Sequence, residues 1–212
     1  MQPACNLHAR PCPARPDFHG GEGIFVTGSW PYTLAMAIRE VLKMGHPLLR
    51  EVSAPVTEFG SEALHRLIAD MDDTMRSLSG AGIAAPQIGV GLRVVIFEVT
   101  SNPRYPHVDP VPYTVLINPV LTPLGEERDE GWEGCLSVPG LRGLVPRFRR
   151  LRYRGMDALG KPIDREVEGF HARVVQHEVD HLDGILYPQR IQDLRNLGFE
   201  DALAGQMTPM PD

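Results

Sequence analysis

Cysteine is scarce in this sequence, and its scarcity excludes a scaffold built on disulfides. Cys5, Cys12 and Cys135 are the only cysteines in 212 residues. They are too few and too unevenly placed to cross-link a chain of this length. We therefore expect free thiols or a metal ligand at these positions.

Two further absences limit the partners that we expect. With 21 basic and 27 acidic residues the net charge is -6. The sequence has no block of lysine or arginine of the kind that binds a phosphate backbone. Direct sequence-specific nucleic-acid binding is therefore not expected. No apolar run approaches the roughly 20 residues that a membrane helix needs, and the first residues lack the features of a signal peptide. The expectation is a soluble, cytoplasmic chain with no membrane partner.

The chain divides into two parts by composition. Residues 1–35 are rich in proline and glycine and show no sustained period of 3.6 or 2, which predicts an irregular N-terminal extension. Periodic order begins near Met36. Because 42% of the residues are hydrophobic, residues 36–212 can bury one core and are predicted to form a single functional domain.

Hydrophobic periodicity predicts an α+β fold. An apolar stripe indicates a helix that ends at Gly80, with Leu64, Leu67, Ile68, Met71, Met75 and Leu78 on one face. Residues 93–99, 113–117 and 148–154 are predicted to be strands. A later helix from about Glu168 to Leu182 has apolar residues on several sides and is followed by Gly184, which predicts a buried helix. Without repeated βα units, we expect β-sheets packed around this buried C-terminal helix.

The late helix carries the sequence Gln-His-Glu-Val-Asp-His. His177 and His181 are four residues apart, so both imidazoles lie on one face, about 6 Å apart along the axis, and can bind one metal. Glu178 lies about 100° round the helix, where its carboxylate can accept a proton from a water at an open metal position. The alternative is a helix with two surface histidines and a glutamate. The apolar flanks imply burial and favour the metal site.

A catalytic metal site needs a third protein ligand, and Cys135 is the natural candidate. It lies in the segment Glu-Gly-Cys-Leu-Ser, where a turn could present a thiolate. A lone cysteine is more often a small buried residue, but the two histidines make a ligand the better interpretation. A thiolate also suits the softer ions Fe(II), Co(II), Ni(II) and Zn(II).

A third motif, Gly-Ala-Gly-Ile-Ala-Ala-Pro-Gln at residues 80–87, completes the set. It fits a dinucleotide-binding fingerprint superficially, but it follows a predicted helix instead of a strand, and Pro86 would interrupt the helix that the fingerprint needs. The three motifs GAGIAAPQ, EGCLS and QHEVDHLDG, in this order, resemble those of the peptide deformylase family. The resemblance extends from about Val41 to Tyr187.

The resemblance implies an activity, a metal and a set of residue roles. The activity is hydrolysis of the N-formyl group of the formylmethionine that begins newly made polypeptides, with release of formate. It implies nascent formyl-methionyl peptides at the ribosome exit as partners, and one divalent metal per chain, with Fe(II) native and Zn(II), Ni(II) or Co(II) as substitutes. The implied metal ligands are Cys135, His177 and His181. The implied roles at the reacting group are acid/base for Glu178, oxyanion donors for Gln87 and the Leu136 N–H, and substrate-backbone binding for Gly82.

Several neighbouring residues are left with two interpretations. Phe170 and Val174 could line the pocket for the methionine side chain or belong to the core. Asp180, Glu133 and Arg147 could orient the ligands, with Arg147 paired to Glu133, while Asp180 and Arg147 could equally be surface charges. The sequence offers no explanation for two polar residues of the apolar helix, His171 and Arg173.

Parts of the sequence pattern also fit two other functions. The HExxH pattern alone would indicate a zinc endoprotease, but Cys135 and the GAGIAAPQ motif argue against it. A non-catalytic metal-binding or peptide-binding relative would need neither Gln87 nor Glu178. The tail from Gln189 to Asp212 is not strongly basic and is interrupted by Gly198, so it gives little support for a C-terminal helix that docks on ribosomal RNA.

Overall fold

A computed structural model describes residues 37–100, 108–203 and 205. The predicted extension, residues 1–35, lies outside this part. The described residues form two α-helices and eight strands: α1 (Glu62–Ser77), β1 (Gly82–Ala84), β2 (Val94–Val99), β3 (Val111–Pro123), β4 (Arg128–Cys135), β5 (Val138–Phe148), β6 (Arg150–Met156), β7 (Pro162–Glu168), α2 (Gly169–Leu182) and β8 (Leu197–Phe199). Short 3-10 helices occupy Pro47–Arg50, Ala85–Ile88, Tyr187–Arg190 and Leu194–Asn196.

The strands form two antiparallel sheets. One sheet has the order β1-β2-β3-β6-β7, and the other has the order β4-β5-β8. A core cluster joins α2 to the larger sheet through buried residues that include Phe97, Leu116, Tyr153, Val175 and Leu182. The predicted α+β class, with sheets packed around a buried C-terminal helix, is confirmed.

Helix α1 packs its apolar stripe against β1 and β2. The Ser61 hydroxyl caps its N-terminus by accepting a hydrogen bond from the Leu64 N–H at 3.3 Å. The α-helix ends at Ser77 instead of Gly80, because Ser79 adopts a left-handed conformation (φ 52°). The Gly80 N–H then donates to the Met75 carbonyl at 2.9 Å. The chain is thereby turned directly into the GAGIAAPQ segment.

The prediction of one continuous strand over residues 148–154 is wrong. Strand β5 ends at Phe148 in the small sheet, and β6 begins at Arg150 in the large sheet. Between them, Arg149 donates its N–H to the Glu127 carbonyl and accepts from the Gly169 N–H, both at 2.9 Å. The chain therefore changes sheets at Arg149, although the apolar and basic residues alternate without interruption.

Helix α2 occupies the predicted range and is buried on nearly all sides. It starts at Gly169, whose positive φ of 59° turns the chain out of β7. Gly184 has a φ of 71°, and a Cβ at this position would lie 2.6 Å from the Arg50 carbonyl carbon. These two glycines allow a short, fully packed helix to carry the candidate metal ligands into the interior.

The described part of the tail contains no α-helix after α2. It forms β8, which pairs with Leu141–Gly143 of β5.

None of the described helices has the length and hydropathy that a bilayer span requires.

Candidate active site

The three predicted metal ligands lie together. One side-chain atom from each of Cys135, His177 and His181 falls within 4.8 Å of the other two. The Cys135 Sγ lies 3.3 Å from the His181 Nε2, and it also accepts a hydrogen bond from the Ser137 N–H at 3.4 Å. One sulfur and two imidazole nitrogens at this spacing fit a tetrahedral metal with one open position.

Glu133 orients His177. Its Oε2 lies 2.9 Å from the His177 Nδ1. Since a carboxylate only accepts hydrogen bonds, Nδ1 carries the proton and the lone pair of Nε2 is available for a metal. Burial acts to raise the pKa of Glu133, but Arg147 and His177 more than offset this effect and hold that pKa below its ordinary value. The carboxylate is therefore ionised.

An arginine links this carboxylate to a second acidic residue, one turn further along α2. Arg147 donates to both oxygens of Glu133 at 2.9 Å and to Asp180 at 2.5 Å. Asp180 in turn accepts two hydrogen bonds from Arg190, at 2.7 and 3.1 Å. The interpretation of Arg147 and Asp180 as surface charges is wrong, because both are buried in this network.

Arg173, which the sequence left unexplained, is the second arginine on Glu133. It is only 4% exposed and donates to Glu133 Oε1 at 2.8 Å. It also donates to the Val145 and Asp129 carbonyls, at 2.8 and 2.6 Å. One buried side chain thus joins α2 to both β4 and β5. Its position in an apolar helix was the only sign of this role in the sequence.

Glu178 is buried beside the ligands. It is 5% exposed, its Oε2 has no hydrogen-bond partner among the described residues, and burial raises its pKa to about 7. A Cβ on Gly82 would lie 2.6 Å from the Glu178 carboxyl carbon. The carboxyl group therefore fills the space that the absent side chain leaves. The family resemblance implies a role for Gly82 in substrate binding, and no local sequence pattern predicts this contact with Glu178.

Gln87 is held with its amide nitrogen facing the ligands. Its Oε1 accepts from the Ala84 N–H at 2.8 Å, which fixes the orientation of the amide group. The Nε2 then donates to the Ser137 Oγ at 3.1 Å and points to the Cys135 Sγ at 3.5 Å. Ser137 completes this arrangement and was not singled out in the sequence.

A cavity of about 300 Å³ brings the predicted residues together. Its lining includes Gly82, Gln87, Cys135, Leu136, Phe170, Val174, His177 and Glu178. Phe170 and Val174 also belong to the core cluster on α2, and their contact with the methionine side chain stays a prediction. His181 lies outside the lining and is buried. The Tyr187 ring stacks on His177, with ring centroids 6.2 Å apart.

The chain matches the family model described as polypeptide deformylase over residues 38–197. It belongs to this family. A peptide deformylase of Nitrosomonas europaea is 64% identical over 166 residues, which cover 78% of this chain and 94% of that protein. One of Bordetella pertussis is 56% identical over 175 residues, covering 82% of this chain and 99% of that protein.

Solved structures agree with this assignment. A Met-Ala-Ser-bound class I type b peptide deformylase from Acinetobacter baumannii has a TM-score of 0.72 and 40% identity, covering 74% of this chain and 99% of that chain. A peptide deformylase from Thermotoga maritima has a TM-score of 0.65 and 35% identity, covering 74% and 99% of the two chains. The chain is a hydrolase that deformylates newly made polypeptides, and its family is metal-dependent. The endoprotease and the non-catalytic alternatives are excluded.

Proposed function

We propose that Cys135, His177 and His181 hold one divalent metal, with Fe(II) as the native ion and Zn(II), Ni(II) or Co(II) as substitutes. The observation that carries this proposal is the convergence of the three ligand atoms within 4.8 Å. The orientation of His177 by Glu133 supports it, since it leaves the Nε2 lone pair free. A donor set of one sulfur and two nitrogens suits each of these ions.

Glu178 is the proposed general base and acid. A metal bound here would polarise the formyl carbonyl and lower the pKa of a water. The Glu178 carboxylate would accept the proton of the attacking water and donate it to the leaving amine. Burial acts to raise its pKa, which favours uptake of a proton from the attacking water.

Gln87 and Leu136 are the proposed donors to the oxyanion. The amide N–H of Gln87 is directed towards the ligands because its oxygen is held by the Ala84 N–H at 2.8 Å. The backbone N–H of Leu136 follows Cys135 directly, and the residue lines the cavity. Donors fixed before the reaction stabilise the developing negative charge without reorganisation.

The remaining cavity residues are proposed to bind the substrate. The backbone of Gly82 would pair with the peptide, while Phe170 and Val174 would receive the methionine side chain. Both side chains are apolar and line the cavity beside His177 and Glu178. An apolar pocket with a few polar groups at one side is typical of such sites.

The domain bounds and the natural substrates are also proposals. We propose that residues 36–212 form the catalytic domain, with support from the family match over residues 38–197, and that residues 1–35 are an extension. We also propose nascent formyl-methionyl peptides emerging from the ribosome in the cytoplasm as the substrates, without sequence-specific nucleic-acid binding.

One experiment tests the metal and the reaction together. The full chain is purified without oxygen, its metal content is measured, and formate release from formyl-Met-Ala-Ser is followed. About one Fe(II) per chain and formate release that falls in air, but persists in a Ni(II)-substituted sample, are expected. Equal aerobic half-lives of the two samples would contradict the ferrous assignment, and absence of formate release would contradict the proposed mechanism.

A further inference from the structure

The wall of the catalytic cavity includes an ion pair that the mechanism does not use. Arg142 on β5 donates from Nη2 to the Glu200 Oε1 at 2.9 Å, and both residues line the cavity that contains Cys135 and Glu178. Glu200 follows β8 directly, so the C-terminal segment contributes a charge to the candidate active site.

Backbone pairing fixes the position of Glu200. Strand β8 lies antiparallel to β5, with Gly198 opposite Arg142. Beyond the strand, the Glu200 N–H donates to the Gly140 carbonyl at 2.9 Å. The sheet therefore holds the backbone of Glu200 at the cavity, and the ion pair with Arg142 orients its carboxylate.

The ion pair lies beside Gly134, the residue before the proposed metal ligand Cys135. A Cβ on Gly134 would be 2.8 Å from the Arg142 Cζ, so the guanidinium covers the residue that precedes Cys135. In an extended peptide the third residue lies roughly 7 Å from the first, and its side chain reaches further. Side chains that follow the formylmethionine can therefore approach this wall.

The two partners differ in exposure. The Arg142 side chain is 9% exposed, whereas the Glu200 side chain is 51% exposed. A peptide that enters the cavity consequently meets the carboxylate first. A basic side chain near this position gains an attractive charge interaction, and an acidic one is repelled.

We propose that Glu200 is a specificity-determining residue that favours formyl peptides with a basic residue shortly after the methionine. The inference rests on the proposed function, because it assigns the downstream part of the peptide to this wall. Exposed ion pairs change an equilibrium by a factor of about 1.5 to 5, so a preference of this size is expected in kcat/KM.

The test compares three C-terminally amidated peptides, formyl-Met-Ala-Lys, formyl-Met-Ala-Ser and formyl-Met-Ala-Glu, at low ionic strength. The metal-loaded full chain should prefer the lysine peptide. Glu200→Gln should remove the preference, and Glu200→Lys should reverse it in favour of the glutamate peptide. Near 1 M salt, where the Debye length is about 3 Å, the differences should largely vanish. Melting temperatures check that β8 stays docked in each variant.

Glu127→Gln is the matched control. Glu127 forms a similar exposed ion pair with Arg149 at 3.0 Å, but neither residue lines the catalytic cavity. This variant should keep the full lysine preference. Equal kcat/KM for the three peptides in the unmodified chain, or a lysine preference unchanged in Glu200→Gln, would overturn the inference alone. Absence of formate release from all three peptides would overturn the proposed function, and the inference with it.

Discussion

The Glu133 carboxylate lies 2.9 Å from the His177 Nδ1 and accepts four hydrogen bonds in all, three of them from Arg147 and Arg173. Every donor of this set is buried or nearly so. The carboxylate thus fixes the orientation of one proposed ligand while two arginines fix the carboxylate.

Glu133→Gln should weaken metal binding by about 10- to 100-fold, because outer groups that orient a ligand histidine typically contribute this much. Chelator competition on the folded protein measures the change. Glu130→Gln, on the exposed side of the same strand, is the control and should bind metal normally. If the glutamine variant does not fold, Glu133→Asp keeps the charge and withdraws it from His177. Unchanged affinity in a folded Glu133 variant would contradict the role.

Arg173→Met should destabilise the protein by about 3 to 5 kcal/mol, the usual cost of removing one partner of a buried ion pair. The variant leaves the Asp129 and Val145 carbonyls without the donor that the structure shows. Urea unfolding of the metal-free chain measures the loss. Arg152→Met removes an arginine whose exposed partner is Asp164 and should leave stability nearly unchanged. Similar losses in both variants would argue against the special role of Arg173.

Arg173 also shows where sequence reasoning reached its limit. Helix α2, its two histidines and Glu178 could be predicted because they follow one periodic segment. The partners of Arg173 lie 28 to 44 residues away on two other strands, and no local pattern connects them. The sheet change at Arg149 and the pairing of Arg142 with Glu200 were unpredictable for the same reason. Distant backbone pairing decides both.

Gly82→Ala should lower kcat by roughly 100-fold while the metal stays bound. The new Cβ would displace the Glu178 carboxyl group. A shift of about 1 Å at a reacting group typically lowers the rate by this factor. Formate release and metal content are measured on the same sample. Gly91→Ala is the control, because a Cβ there meets no atom within 4 Å. Normal kcat in Gly82→Ala would show that Glu178 tolerates the displacement.

His171 should make stability depend on pH. Burial, together with Arg165, lowers its pKa to about 4, and its ring lies 5.7 Å from that of Phe97. The unfolded chain has the ordinary pKa of about 6.5, so it binds the proton first. The contribution of His171 is therefore complete above about pH 6.5 and is lost as the pH falls towards 4.

His171→Gln should consequently show a shallower fall in unfolding free energy between pH 7 and pH 5 than the unmodified chain. Urea unfolding at several pH values gives the slopes, which are compared in place of absolute stabilities. Exposed His65→Gln should keep the original slope. Identical slopes for all three proteins would show that His171 titrates alike in the folded and unfolded chains.

We propose that Glu178 transfers the proton beside a metal that it does not bind. Metal content measured together with formate release tests this role most directly. Glu178→Ala should keep the metal and lose about 10²- to 10⁴-fold in kcat, the usual contribution of a general acid or base. Cys135→Ala should instead lose the metal, and Gln87→Ala should keep it with a loss of about 10²- to 10³-fold. Near-normal formate release by Glu178→Ala at full metal occupancy would contradict the account.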